Sequence, residues 1–142
     1  MGKPLRVLFP CTGNSCRSQM AEGFTRHYAG DKLDVYSAGT HPEPIRSETV
    51  EVMREVGVDI SDQRSKGLEA APPQMDVVVT VCDRAAEACP LFPGSPRLLH
   101  WSLPDPASAQ GTAEEVRTAY RAVRDQIGEL VRALIDELAP PS

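Results

Sequence analysis

Apolar and polar positions along the chain fall into short alternating runs. Leu5-Arg6-Val7-Leu8-Phe9-Pro10 is nearly continuous in apolar residues, which predicts a strand buried on both faces. Beyond a polar loop, Met20, Phe24 and Tyr28 recur at i, i+4 and i+8 with Ala21 beside them, one face of a helix ending near Gly30. Leu33-Asp34-Val35-Tyr36-Ser37 alternates and halts at Gly39, a second strand. After a turn at Pro42 and Pro44, Ser47 is placed to N-cap a helix carrying Val50, Met53 and Val56, with Gly57 as its stop. Val58-Asp59-Ile60 then leads into the polar stretch Ser61 to Lys66 and a break at Pro72-Pro73. Met75 to Val81 is the clearest buried strand, nearly all β-branched. Arg84 to Cys89 has a short helical composition, Leu98 to Trp101 reads as a fourth strand, and Leu103-Pro104-Asp105-Pro106 as a fixed loop. Thr112-Ala113-Glu114-Glu115 is a capping box. It opens a long helix with apolar positions at Val116, Tyr120, Val123, Ile127, Leu130, Val131, Leu134 and Leu138.

Strands alternating with helices predict a single α/β domain over residues 1–142, a four-stranded parallel sheet with helices on both faces and right-handed crossovers. Ligands of such sheets bind at the carboxyl ends of the strands. Cys11, Cys82 and Asp105 each follow a proposed strand end.

Composition narrows the partners. With 41% hydrophobic and 25% charged residues the 142-residue chain is ordinary for a soluble globular protein. Its net charge of −5 argues against an extended nucleic-acid surface, so a small anion must be held by local field. No apolar run approaches membrane-spanning length, and Met1 to Arg6 has no signal-peptide core. The expectation is a cytoplasmic protein whose four cysteines are reduced thiols with catalytic or metal-binding roles.

The richest chemistry lies in Cys11-Thr12-Gly13-Asn14-Ser15-Cys16-Arg17-Ser18, between the first strand and the first helix. A loop opening a helix presents unpaired N–H donors and positive partial charge to an anion. Gly13 permits a conformation that turns several amides inward, and Asn14 is among the few residues that tolerate positive φ. Arg17 supplies a planar fork for a tetrahedral oxyanion, and Cys11 sits where the loop's field favours a thiolate. Taken alone, Cys, five residues and Arg is a weak pattern; the surrounding strand, loop and helix start make it specific.

Cys82 and Cys89 form a second group, about two turns apart if their segment is helical and then too far for a disulfide without unwinding. A zinc site is the rival reading, but the spacings lack the tight hooks of common zinc modules and no His lies at ligand spacing. A purely structural role for the two is the other alternative. Asp105, held between Pro104 and Pro106, is placed to act as a general acid beside an anion site, or is simply a turn aspartate. His27, His41, His100 and Trp101 carry no readable role.

These residues resemble the thioredoxin-coupled arsenate reductases, which share the fold of low-molecular-weight tyrosine phosphatases. The likeness runs from Cys11 to Gly23 and continues through Val35 to Gly39, Glu55 to Ser61, Val78 to Cys82, Cys89-Pro90, His100-Trp101, Asp105 to Ala107 and Gln110 to Thr112. It implies that Cys11 attacks arsenate, held by Arg17 and the amides of residues 12 to 18 (Thr12, Gly13, Asn14, Ser15, Cys16, Arg17, Ser18). Cys82 then attacks Cys11 and releases arsenite, and Cys89 moves the disulfide to Cys82–Cys89 for reduction by thioredoxin. Asp105 matches the general acid, and Cys16 lies outside the relay. Some relatives hold potassium beside the loop; Asn14, Glu22 and Ser37 keep three of those ligands, while Lys66 stands where an Asp would be. An ammonium there is expected to reach toward Glu22 and Asn14 and to replace the ion. No resident metal or cofactor and a monomeric state are the further expectations. The runner-up is a low-molecular-weight tyrosine phosphatase, against which Ala107-Ser108 stand where those enzymes commonly carry aromatic residues. A non-enzymatic thiol sensor, indifferent to Asp105, is the third reading.

Overall fold

The computed structural model describes residues 4–72, 74–82 and 97–140. In chain order its elements are β1 (Leu5–Cys11), α1 (Arg17–Ala29), β2 (Leu33–Gly39), α2 (Ser47–Glu55), β3 (Val77–Thr80), β4 (Leu98–His100) and α3 (Ala113–Leu138). Single 3-10 turns stand at Gly30–Lys32, Leu68–Ala70 and Pro106–Ser108. The strands form one parallel sheet in the order β2-β1-β3-β4.

Alternation along β1 divides the interior. Val7, Phe9 and Cys11 face a large core to which α1 gives Met20 and Phe24, α2 gives Val52 and Met53, and α3 gives Tyr120, Val123, Ile127, Val131 and Leu134. Leu8, Ala38 and Val78 face the other way, under Tyr36, Leu68, Ala71 and Met75. Because the strand order reverses at β1, right-handed connections must send β2→β3 across the face opposite to β1→β2. Leu68, Ala71 and Met75 pack there. Helices thus accompany the sheet unevenly: three α-helices share the large core, and a one-turn 3-10 helix is the described cover of the smaller one.

Several boundaries differ from the pattern-based expectation. Ser47 is the first residue of α2 and not its N-cap, because the Arg46 carbonyl already accepts from Thr49 and Val50 N–H while Ser47 Oγ turns to Glu48. The third strand is trimmed to Val77–Thr80: at position 76 the Asp76 carboxylate takes the Arg6 N–H in place of a ladder carbonyl. β4 ends at His100, one residue short of Trp101. The stop at Gly57 holds, with φ of 79° in the left-handed region. So does the capping box, with Thr112 Oγ1 accepting from Glu115 N and Glu115 Oε1 from Thr112 N, both at 3.1 Å. The helix expected over Arg84 to Cys89 lies outside the described residues.

Candidate active site

At the carboxyl end of β1 the chain leaves the sheet at Cys11 and enters α1 at Arg17. The loop's carbonyls are all turned outward. Those of Cys11, Thr12, Gly13 and Ser15 accept from the N–H groups of Thr40, His41, Glu43 and Arg46 at 2.8–3.2 Å. Asn14 O takes the Gln19 side-chain amide at 3.1 Å, and Cys16 O takes Met20 N at 3.0 Å. With the carbonyls claimed on one side, the N–H groups of Gly13, Ser15 and Cys16 have no partner among the described residues and are left for an anion. The first turn of α1 contains no acidic residue, so nothing there cancels the positive helix end.

Positive φ falls on Asn14 (51°); Gly13, expected to supply the loop's conformational freedom, lies outside the left-handed region. Asn14 can hold this geometry because every arm of its side chain is engaged. Its Nδ2 donates to Ser18 Oγ (2.8 Å) and Ser37 Oγ (2.9 Å), and its Oδ1 accepts from Gln19 Nε2 (3.0 Å) and Lys66 N (2.9 Å). Gly39 in β2 admits this arrangement: a Cβ there would stand 2.5 Å from Thr12 O. Ser37 in turn makes a short bond to Glu22 Oε1, and Glu22 Oε2 meets Arg26 Nε at 3.0 Å. Lys66 Nζ lies 3.4 Å from both Glu22 Oε1 and Ser37 Oγ and donates to Arg64 O at 2.9 Å. The ammonium therefore reaches Glu22 as expected. Asn14 is met by the Lys66 backbone N–H, because the side chain passes on toward Ser37 and Glu22.

Cys11 Sγ accepts from Asn14 N at 3.0 Å and lies 2.9 Å from Ser18 Oγ. Burial pushes the thiol up, against the pull of Ser18, the Asn14 N–H and the Arg17 charge. Desolvation of the sulfur thus works against the thiolate that the loop's donors favour. Arg17, nearly buried, donates from NH1 to Leu103 O at 2.9 Å, and its NH2 stands 3.9 Å from Asp105 Oδ2. Asp105 caps the Pro106–Ser108 turn by accepting from Ala107 N at 3.0 Å. Its other oxygen faces the guanidinium, so the aspartate sits beside the anion loop.

Residues 11–17, His41, Glu43, Arg46, Asp105 and Ala107 line one pocket of about 170 Å³. His41, Glu43 and Arg46 escaped the sequence reading, as did Gln19, whose side chain bridges Asn14 and Arg64 O and is itself met by Gln63. Gln19 gave no signal, because Glu22 and Arg26 at i+3 and i+7 make its helix face read as solvent-exposed. No Phe, Tyr or Trp lines the pocket among the described residues.

Cys82 follows β3 and is fully buried. The β1–β3 register pairs Val7 with Val77 and Leu8 with Val78, an offset of 70 residues. Carried upward, that offset sets position 81 beside Cys11 and Cys82 one residue beyond. Cys82 is disulfide-bonded, while Cys11 and Cys16 are free. Cys89 lies outside the described residues.

A parallel α/β sheet carrying a Cys-to-Arg anion loop at the end of its first strand, with an aspartate over that loop, defines a class of thiol-dependent oxyanion proteins. The chain belongs to the low molecular weight phosphotyrosine protein phosphatase family, whose profile matches residues 6–141. Within it, the chain is 45% identical over 131 residues to an arsenate reductase of Halalkalibacterium halodurans, covering 92% of this chain and 94% of that one. It is similar to the solved structure of an arsenate reductase in the phosphate-binding state, with a TM-score of 0.81, 35% identity, and coverage of 95% of this chain and 99% of the other. A thioredoxin-dependent arsenate reductase of Corynebacterium glutamicum gives a TM-score of 0.71 at 30% identity, covering 97% of this chain and 64% of that one.

Proposed function

We propose that this chain reduces arsenate to arsenite by a three-thiol relay regenerated by thioredoxin. The observation that carries the reading is a second cysteine, Cys82, buried beyond the strand that neighbours the Cys11 strand. Phosphate ester hydrolysis needs one thiol; reduction of As(V) to As(III) needs two electrons, and two thiols closing to one disulfide supply them.

Arsenate enters the pocket with its oxygens on the loop N–H groups and the Arg17 guanidinium. Cys11 sulfur attacks arsenic as its proton and one arsenate oxygen leave as water, with Asp105 placed to supply a proton to that oxygen. Cys82 then attacks Cys11 sulfur; the S–As electron pair goes to arsenic, arsenite departs, and a Cys11–Cys82 disulfide remains. Cys89 attacks Cys82 and frees Cys11, and the resulting disulfide is opened by thioredoxin. The disulfide-bonded Cys82 with free Cys11 is the pattern expected after the Cys89 attack and before thioredoxin acts.

The pocket's lining favours an inorganic oxyanion over phosphotyrosine, since the described rim offers charge and no Phe, Tyr or Trp against which an aryl group could pack. A slow hydrolysis of small aryl phosphates is a second activity that the complete loop and Asp105 support. The relay is tested with Cys89→Ser and thioredoxin. One turnover followed by a trapped Cys11–Cys82 disulfide is the expected result, and sustained thioredoxin-driven turnover contradicts the order of thiols.

A further inference from the structure

The carboxyl ends of β3 and β4 bring a histidine to the second cysteine. Val77, Val79 and Val81 face the large core and Val78 the smaller one, so by alternation Thr80 and Cys82 lie on the side of Val78. Leu99 and Trp101 pack against the large core, which turns His100 to that same opposite side. Thr80 and His100 are register partners and their side chains meet, with Thr80 Oγ1 2.6 Å from His100 Nδ1. Cys82 is the next residue on that face, about 7 Å further along the chain's path. The Thr80 hydroxyl donates to Leu99 O at 3.4 Å, so its oxygen accepts from His100 Nδ1–H. That bond sets the tautomer and makes Nε2 the nitrogen that gains and loses a proton. His100 is half-buried and Cys82 fully buried.

We propose that His100 is the proton donor to Cys82 when the disulfide of that cysteine is opened by an incoming thiol. Because the Cys82 sulfur is fully buried, the attacking thiolate reaches the partner sulfur. A new S–S bond forms there, the old one breaks, and its electron pair leaves on Cys82. A thiolate in that desolvated place is costly. The imidazolium Nε2–H hands it a proton, directly or through one water, and the neutral ring is recharged from solvent. The attacking dithiol supplies both electrons, and the imidazole moves only a proton. Thr80 is the positioning residue. The place of this step in turnover rests on the arsenate-reductase reading, in which thioredoxin reduces the Cys82 disulfide.

The charges around the pair leave the imidazole to titrate on its own. Val77–Thr80 of β3 has no charged side chain, and β4 has only His100. Arg97, just before β4, turns to Glu137 of α3. The other charged or titratable residues described on the His100 face, Arg6, Asp34, Tyr36 and Asp76, bond to one another toward the strands' amino ends, and Glu69 stands on the covering 3-10 turn.

The test follows opening of the Cys82 disulfide in the oxidised full chain by dithiothreitol and by reduced thioredoxin, with no arsenic present, from about pH 6 to about pH 9. Comparing wild type with His100→Gln at each pH cancels the attacker's own ionisation. The variant should be at least about tenfold slower at the acid end, where the imidazole is charged. It should equal the wild type at the alkaline end, where both lack the donor. Thr80→Val should show a smaller loss, about three- to tenfold, in the same pH sense, and it carries the test should His100→Gln not fold. Equal rates at the acid end, or a loss of one size at every pH, overturns the proposal. No arsenate enters this measurement, so a chain that reduces no arsenate contradicts the functional reading and leaves the proton donor standing.

Discussion

Behind the anion loop, Asn14, Gln19, Ser37 and Glu22 are buried and each engages at least two partners; in front of it, Glu43 and Arg46 stand in solvent at the pocket's mouth. The contrast is sharpest between two glutamates. The Glu22 side chain is 3% exposed and clasped by Ser37, Arg26 and Lys66, whereas the Glu43 side chain is 61% exposed with Arg46 at 4.0 Å. A buried, satisfied network fixes a conformation, because each member lost leaves others unpaired away from water. Exposed charges are screened and tune only encounter and affinity. The rear of the loop therefore sets its shape, and the front sets what reaches it.

The largest effect is expected at the rear. Asn14→Ala leaves the Lys66 N–H without its acceptor, takes one bond each from Gln19, Ser18 and Ser37, and puts Ala at positive φ. It should cost about 3 kcal/mol of stability and abolish oxyanion binding, as read by denaturant unfolding with and without phosphate. An unchanged unfolding curve would show that the network does not hold the loop.

Lys66→Asp should have an intermediate effect, about 1–2 kcal/mol in sodium salts, because a carboxylate then faces Glu22. Potassium at matched ionic strength should restore part of that loss, while the wild type is indifferent to the cation. Potassium activation of the wild type would mean that the Lys66 ammonium does not fill the cation's place.

At the mouth, Arg46→Ala should leave stability within about 0.5 kcal/mol. Its KM for arsenate should rise by up to about fivefold with kcat unchanged, an effect that shrinks with added salt. A fall in kcat of tenfold or more would place Arg46 in the chemistry and blur the division between the two sides.

The sequence made one of these sides far more readable than the other. Cys11, Asn14 and Arg17 are contiguous, and the apolar run before them and the periodic helix after them place the loop without tertiary information. Glu22, Ser37 and Lys66 were legible only through resemblance to relatives. The clamp that turns the loop's carbonyls outward comes from residues 40–46, through backbone N–H groups whose donors are the same for almost any side chain. No residue type marks such a role, so His41, Glu43 and Arg46 carried no signal. Gln19 and Gln63 meet across 44 positions, a pairing that only the packing of α1 against the 61–66 stretch creates. The raised Cys11 thiol was missed for a related reason: the loop's donors can be seen in the residues, but the depth of the sulfur's burial cannot.

The account's central claim is that this loop, backed by its buried network and joined to a second thiol, reduces arsenate. The direct measurement is arsenite formed from arsenate with a thioredoxin system, beside hydrolysis of a small aryl phosphate, in wild type and Cys82→Ser. The account predicts many turnovers of arsenite in the wild type, none in Cys82→Ser, and slow phosphate ester hydrolysis in both. A wild type that forms no arsenite while hydrolysing the aryl phosphate rapidly would contradict it.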